Sequence, residues 1–405
     1  MNRLTAVKLN GSGTAALQFA YDDLSRRTSI TYGNGVVTNY TYNWDDTTAN
    51  VEHVFSGSSV EFDYGYDNVQ EVTSQSVNDA AFMWHPASGG TVTYGTADDV
   101  NAYPTVGGVT QTVDDNGCLT GDGTWTFTYD TEQHVVSATD GTTTVSFVYD
   151  GQHRQHQKTV GAAKTRFIYS GWQRIADYNG AMNALQNRFV YGTGLDEPLI
   201  IVSSGGTLTY LHHDKLGSVI ATSDGSGVNT NKNKFGPFGE TPSLAGTSSF
   251  GYTGQRYDSE FDLYYFKRRY YSTKTGRFMQ PDPAGYKYNE LNLYPYASNS
   301  PFKFVDPFGL KQQRDIHENL PPSKTKLEGS ISDDNEIDSD IDSDSDLTDE
   351  DMENIREAQE AVRDWTKDRT RDLKDLKRIE KEALKEYDKE LLDLYKEKMR
   401  EFFDK

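Results

Sequence analysis

Aromatic and aliphatic residues alternate with polar ones in short runs through the first three quarters of this chain. The runs include FAYDDLSRRTSI, YGYDNVQEVTSQ, FTYDTEQHVVSA, FVYDGQHRQHQK, FIYSGWQRIADY and FVYGTGLDEPLI. Alternation with a period of two predicts strands with one buried face. Tyr129, Tyr149, Tyr169, Tyr191 and Tyr210 follow one another at intervals of 20, 20, 22 and 19 residues. That spacing predicts a repeat of two short strands and two turns. A single unit cannot cover its own apolar face, so neighbouring units must stack to do it.

The pattern changes near the end of the chain. Residues 311–347 have low hydrophobicity and a block of like charge, which predicts a disordered acidic linker. Thr348 with Asp351 three positions later has the form of a capping box and opens a helix. Met352, Ile355, Val362 and Trp365 make one apolar stripe. Leu373, Leu376, Ala383, Tyr387, Leu391, Leu394 and Phe402 make a second. Their spacings of three and four fit amphipathic helices. KDRTRD interrupts the stripes, so a helical hairpin or two helices are expected, with a coiled coil as the alternative. Asp342, Asp344, Asp346 and Glu353 match positions 1, 3, 5 and 12 of a calcium loop. However, Leu347 stands where Gly is needed and no entering helix precedes it. Loose attraction of cations is the plainer reading.

Composition sharpens this division. Of the 35 Gly and 26 Tyr, 34 and 24 lie before Leu310. Residues 311–405 carry a net charge of −11 out of −21 for the whole chain. Such acidity opposes binding to nucleic acid and to anionic membranes. The 405 residues leave room for two or three domains, or for one large β structure. The single Cys118 excludes an intrachain disulfide. No run approaches the length of a membrane span, and the first residues lack the apolar stretch of a signal peptide. Export would then depend on another route or a longer parent chain.

Several candidates for chemistry fall away at this level. His212 and His213 precede Asp214, but adjacent strand residues face opposite ways and make a poor shared metal site. His153 and His156 are expected in a solvated turn. Cys118 has no basic neighbour to form a thiolate. KRRYY is basic but isolated, which does not suggest nucleic-acid binding. In the tail, His317 is the one histidine, and no nuclease or nucleotidyl-transfer pattern is recognisable.

The Tyr-Asp units at 21, 66, 129 and 149 resemble the YD repeats of the Rhs family, which includes bacterial polymorphic toxins and the C component of Tc toxins. The likeness covers roughly residues 15–310. It implies a mainly β chain, a YD-repeat β-shell or solenoid fragment at 1–253, beginning mid-pattern. Residues 254–310 contain GQRYD, LYY, RYY, TGRF, PDP, NLYPY, NSP and DPFGL. In that order they are similar to the Rhs-associated core domain, which closes the shell. The acidic linker at 311–347 and an α-helical variable segment at 348–405 would follow.

The resemblance implies a single-turnover aspartic autoprotease that cuts its own chain after DPFGL. Carried over, the scissile bond is Leu310–Lys311, the two acids are Asp282 and Asp306, and the accompanying cation is Arg269. The chemistry is consistent with this. Hydrolysis by carboxylates needs one to take a proton from water and the other to donate one. A neighbouring guanidinium can orient one of them. A scissile bond tethered four residues from Asp306 gains about 7–11 kcal/mol from positioning alone. Gly309 gives the chain freedom to turn in.

The residues by themselves leave another reading open. Asp-Pro pairs initiate turns, and Arg269 could be an ordinary paired cation. Arg277 is a rival for the arginine role, better suited to packing a turn. No cofactor or metal is called for. The implied partners are the chain's own C-terminal segment as cargo and substrate, an immunity protein and a delivery-machine component, with no nucleic acid through the shell and no membrane span. The family position of residues 311–405 suggests an effector made in a bacterial cytoplasm and carried outward. The alternative is a non-cleaving structural or surface-binding protein with an acidic helical interaction tail.

Overall fold

The computed structural model describes residues 3–9, 12–85, 92–99, 101–182, 184–242, 244, 249–285, 292–310 and 313–314. The chain divides into two units, Met1–Pro322 and Ser323–Lys405, and the described residues all belong to the first. The expected stripes from Thr348 onward, the acidic pattern at 342–353 and Lys311 lie outside the described residues.

The alternating runs form antiparallel strands. Tyr129, Tyr149, Tyr169, Tyr191 and Tyr210 lie on Thr126–Tyr129, Thr144–Tyr149, Ala163–Ser170, Leu185–Tyr191 and Leu208–His213, which are alternate strands of one sheet. The period near 20 is therefore one strand up and one strand down. That sheet has 13 strands in sequential order, from Thr112–Val113 to Asn229–Lys232. A second meander of seven strands runs from Ala6–Lys8 to Val72–Val77. Both are open, each strand pairing with the next in sequence, so the described residues are mainly β in open sheets.

Many of the turns between strands are built on an Asp. One oxygen of Asp150 accepts the backbone N–H of Gln152 at 2.9 Å and of Arg154 at 3.0 Å. Asp67, Asp114, Asp130, Asp214 and Asp224 do the same for the second and fourth residues after them. The third residue takes a left-handed conformation, as at Gln70, Gly117, Gln133, His153, Gly217 and Gly227. Where a Tyr precedes the Asp, it ties the turn to the repeat before it. Tyr66 donates to the Thr48 carbonyl, Tyr129 to Leu119 and Tyr149 to Val135. The YD signature is thus a turn cap plus a tether between repeats.

Apolar side chains from alternate positions meet between the layers. Leu17, Phe19, Ile30, Val51 and Phe62 of the seven-stranded sheet share a core with Leu199, Ile200, Tyr210 and Ile220. Each such burial stabilises by roughly 1.5–3 kcal/mol. Segment 254–310 carries a small sheet of Arg256–Asp258, Leu263–Phe266, Arg269–Ser272 and Arg277–Phe278. Its Phe261, Leu263 and Tyr270 pack on Phe127, Val145 and Phe147 of the 13-stranded sheet. A buried polar network reinforces this seam. Asp258 accepts from Lys158 at 2.7 Å and from Arg256 and Tyr270 at 2.8 Å. Burial alone would raise the Asp258 carboxyl, but the Arg256 and Lys158 charges overcome it and hold it well below the usual range.

Two expectations need correction. His156 is not in a turn. It lies half-buried on the strand Gln155–Val160, because the turn ends when Arg154 donates its N–H to Asp150. The stretch expected to be linker from 311 contains a strand, Gln313–Arg314, paired antiparallel with Phe304–Val305. Backbone pairing needs no apolar side chain, so the polar composition did not announce it.

Candidate functional site

The strand Arg269–Ser272 places Arg269 at the centre of the segment, with its side chain 2% exposed. Its guanidinium lies 3.7 Å from the centroid of Phe278, a contact that fixes the plane of the fork. From there its nitrogens reach four acceptors. Nη2 contacts Asp282 Oδ2 at 2.8 Å and Asp306 Oδ2 at 3.4 Å. Nη1 donates to the Leu293 carbonyl at 2.8 Å, and Nε to the Gly309 carbonyl at 2.6 Å. The two acids, 24 positions apart in sequence, thus converge on a single nitrogen. A shared cation lets two carboxylates stand close by offsetting their repulsion.

Both acids open D-P-x-G turns. Asp282 Oδ1 accepts the Ala284 N–H at 2.8 Å, and Gly285 follows with φ of 62°. Asp306 Oδ1 accepts the Leu310 N–H at 3.0 Å, and Gly309 has φ of 64°. The turn at Asp306 matches the repeat turns: carboxylate to the fourth residue's N–H, left-handed third residue. It differs in what holds its other oxygen. In the repeat turns of Asp22 and Asp150 that oxygen pairs with the arginine four positions on, Arg26 and Arg154. Here it meets an arginine from a separate strand, together with a second acid.

Gly309 is required on two grounds. Its φ is left-handed, and a Cβ there would stand 2.9 Å from the Phe266 carbonyl and 3.3 Å from the Arg269 nitrogen. The rest of the turn is also gripped. Lys267 Nζ donates to the Pro307 carbonyl at 2.6 Å while pairing with Asp196 at 2.5 Å. The Phe308 ring makes an edge contact with Trp172, over which Arg268 lies. Sequence reasoning missed Lys267, Asp196 and Trp172. Lys267 had a faint signal, standing two positions before Arg269. Asp196 and Trp172 had none, since they come from remote parts of the repeat sheet.

The structure brings together Arg269, Asp282, Asp306 and Leu310. Lys311 lies outside the described residues. The peptide held by Arg269 Nε and Asp306 Oδ1 joins Gly309 to Leu310, one bond before the expected cut. Arg277 is elsewhere: it donates to the Asn101 carbonyl and lies over Tyr103 and Tyr294. His212 is buried and bonds Ser223 Oγ at 2.8 Å. Burial pushes the Cys118 thiol up to about 12, with the Asp114 charge adding to it, which fits an inert cysteine.

The family model described as the teneurin YD-shell matches residues 82–302, more than half of the chain. The tRNA3(Ser)-specific nuclease WapA of Bacillus spizizenii is 28% identical over 301 residues, covering 71% of this chain and 12% of that protein. Toxin subunit YenC1 of Yersinia entomophaga is 33% identical over 110 residues, covering 25% of this chain and 11% of its own. Among solved structures, the TcdB2-TccC3 crystal structure superposes with a TM-score of 0.55 at 19% identity, covering 75% of this chain and 20% of that one. This chain therefore spans a small fraction of these relatives, and the solved likeness bears on the fold alone.

Proposed function

This chain belongs to the YD-shell family of Rhs-type repeat proteins, and from that premise we propose that it is a shell fragment that cuts itself after Leu310 and so releases residues 311–405 as its cargo. The observation that carries this reading is the convergence of Asp282, Asp306 and the DPFGL turn on Arg269. In the proposed reaction one aspartate takes a proton from water as its oxygen adds to the Leu310 carbonyl carbon. The other gives a proton to the Lys311 nitrogen as the peptide C–N bond breaks. Arg269, Lys267 and the Asp306 cap hold the turn, so little ordering entropy remains to be lost in the reaction. The released segment would act as effector or interaction partner, with a delivery component or an immunity protein as its further contacts. The division at 254, 310 and 347 belongs to this proposal.

A second reading has its own support. Both acids occupy turns of the kind that repeats through the shell, so the cluster could serve only to clamp the chain end. Intact-mass analysis of the purified full chain separates the two. A new N-terminus at Lys311, lost in Asp282→Asn and Asp306→Asn with the β circular dichroism retained, supports cleavage. A chain that stays whole after prolonged folding favours the clamp. A released fragment that begins one residue earlier, at Leu310, would assign the cut to the gripped Gly309–Leu310 bond instead.

A further inference from the structure

The edge of the 13-stranded sheet carries a second cluster with no part in the proposed cleavage. Alternate turns of a meander lie side by side, and the residues after their caps meet across the gap. In the seven-stranded sheet, Arg26 of one turn reaches Asp46 of the next at 2.7 Å. In the larger sheet, Arg154 reaches the Gly171 carbonyl of its neighbouring turn. The fourth residue after the Asp thus ties one turn to the left-handed residue of the next. Between the turns at Asp130 and Asp150 these two positions hold His134 and His153, whose ring centroids are 5.2 Å apart. Glu132 stands between them, its Oε2 2.5 Å from His153 Nδ1 and 3.9 Å from His134 Nδ1.

We propose that Glu132, His134 and His153 bind a divalent transition metal of the zinc class that crosslinks the two turns. One donor atom from each residue lies within 4.8 Å of the others. Zinc bonds of about 2.0–2.2 Å place tetrahedral ligands roughly 3.4 Å apart, so small side-chain shifts close the site. Asp130 Oδ2, 3.0 Å from the same His134 Nδ1, stands close enough to supply a further oxygen ligand. His134 is buried and stacked on Tyr149, which fixes its ring before any metal arrives. Two imidazoles among carboxylates select zinc, cobalt or nickel over calcium and magnesium. The ion takes the place that an arginine bridge fills at other turns.

Calorimetric titration of the untagged, chelator-treated full chain with Zn²⁺ tests this, with Co²⁺ absorption reporting imidazole coordination. One tight equivalent is expected. Glu132→Gln and His153→Ala, both at partly exposed positions, should each weaken it at least tenfold and leave the unfolding midpoint in chelator unchanged. Zn²⁺ should raise the wild-type midpoint more than that of either variant. Absence of a zinc-dependent shift in the wild type overturns the proposal. So does binding that survives both substitutions, which would assign the metal to the acidic residues of 311–405.

Discussion

At the scale of single residues, the site depends on positions with no freedom to change. Gly309→Ala places a Cβ in the left-handed region, which costs about 1–2 kcal/mol, and directs it at the Phe266 carbonyl. On the cleavage proposed above, the expected outcome is a displaced DPFGL turn and loss of the fragment beginning at Lys311, read by mass spectrometry, while the repeat sheets still fold. Gly285→Ala, where a Cβ would meet nothing within 4 Å, carries only the backbone cost and should leave more cleavage. The resemblance pointed to Asp282, Asp306 and Arg269 from their motifs, and they do converge. Asp196 was illegible, and Lys267 nearly so, because a buried ion pair across 71 residues has no local pattern.

At the scale of elements, the strength of the shell lies in its turns. Asp150→Ala removes two backbone caps and the pairing with Arg154. Hydrogen bonds to a charged group are worth about 1.5–3 kcal/mol each in favourable cases. This turn is exposed enough for water to replace part of that, so a loss of about 2 kcal/mol is expected in urea unfolding. Tyr149→Phe keeps the ring and removes two hydrogen bonds, the tether to the Val135 carbonyl and the one accepted from Gln155 Nε2, and should cost about 2 kcal/mol. Strands and repeat period were legible because side-chain alternation and backbone pleat share one periodicity. The strand Gln313–Arg314 was not, since its pairing is a matter of backbone alone.

At the scale of the described molecule, the two large sheets meet over buried imidazoles. His53 bonds Thr38 and the His213 carbonyl, linking one sheet to the other, and lies beside His212. Burial pushes His53 down to about 4, and burial with its histidine neighbours pushes His212 well below its ordinary value. A histidine depressed on folding is protonated more readily in the unfolded chain. Its stabilisation is therefore whole above about pH 6.5 and is lost as pH falls toward the folded value. Unfolding free energy should drop by about 1.4 kcal/mol per pH unit for each such histidine between pH 6 and 4.5. Denaturant unfolding across that window checks this, and His53→Gln should flatten the slope. Asp258, also depressed on folding, adds its loss only below about pH 4.

The sequence by itself determined that this chain is a β repeat with a change of polymer at Leu310. Periodicity and composition are local, and a strand's alternation or a turn's Asp is written within a few residues. Only the tertiary structure decided that Asp282, Asp306 and the chain's own DPFGL turn meet on one guanidinium, and that His134 and His153 face each other across neighbouring turns. Those contacts depend on the register and stacking of strands far apart in the chain, which packing fixes and local pattern does not.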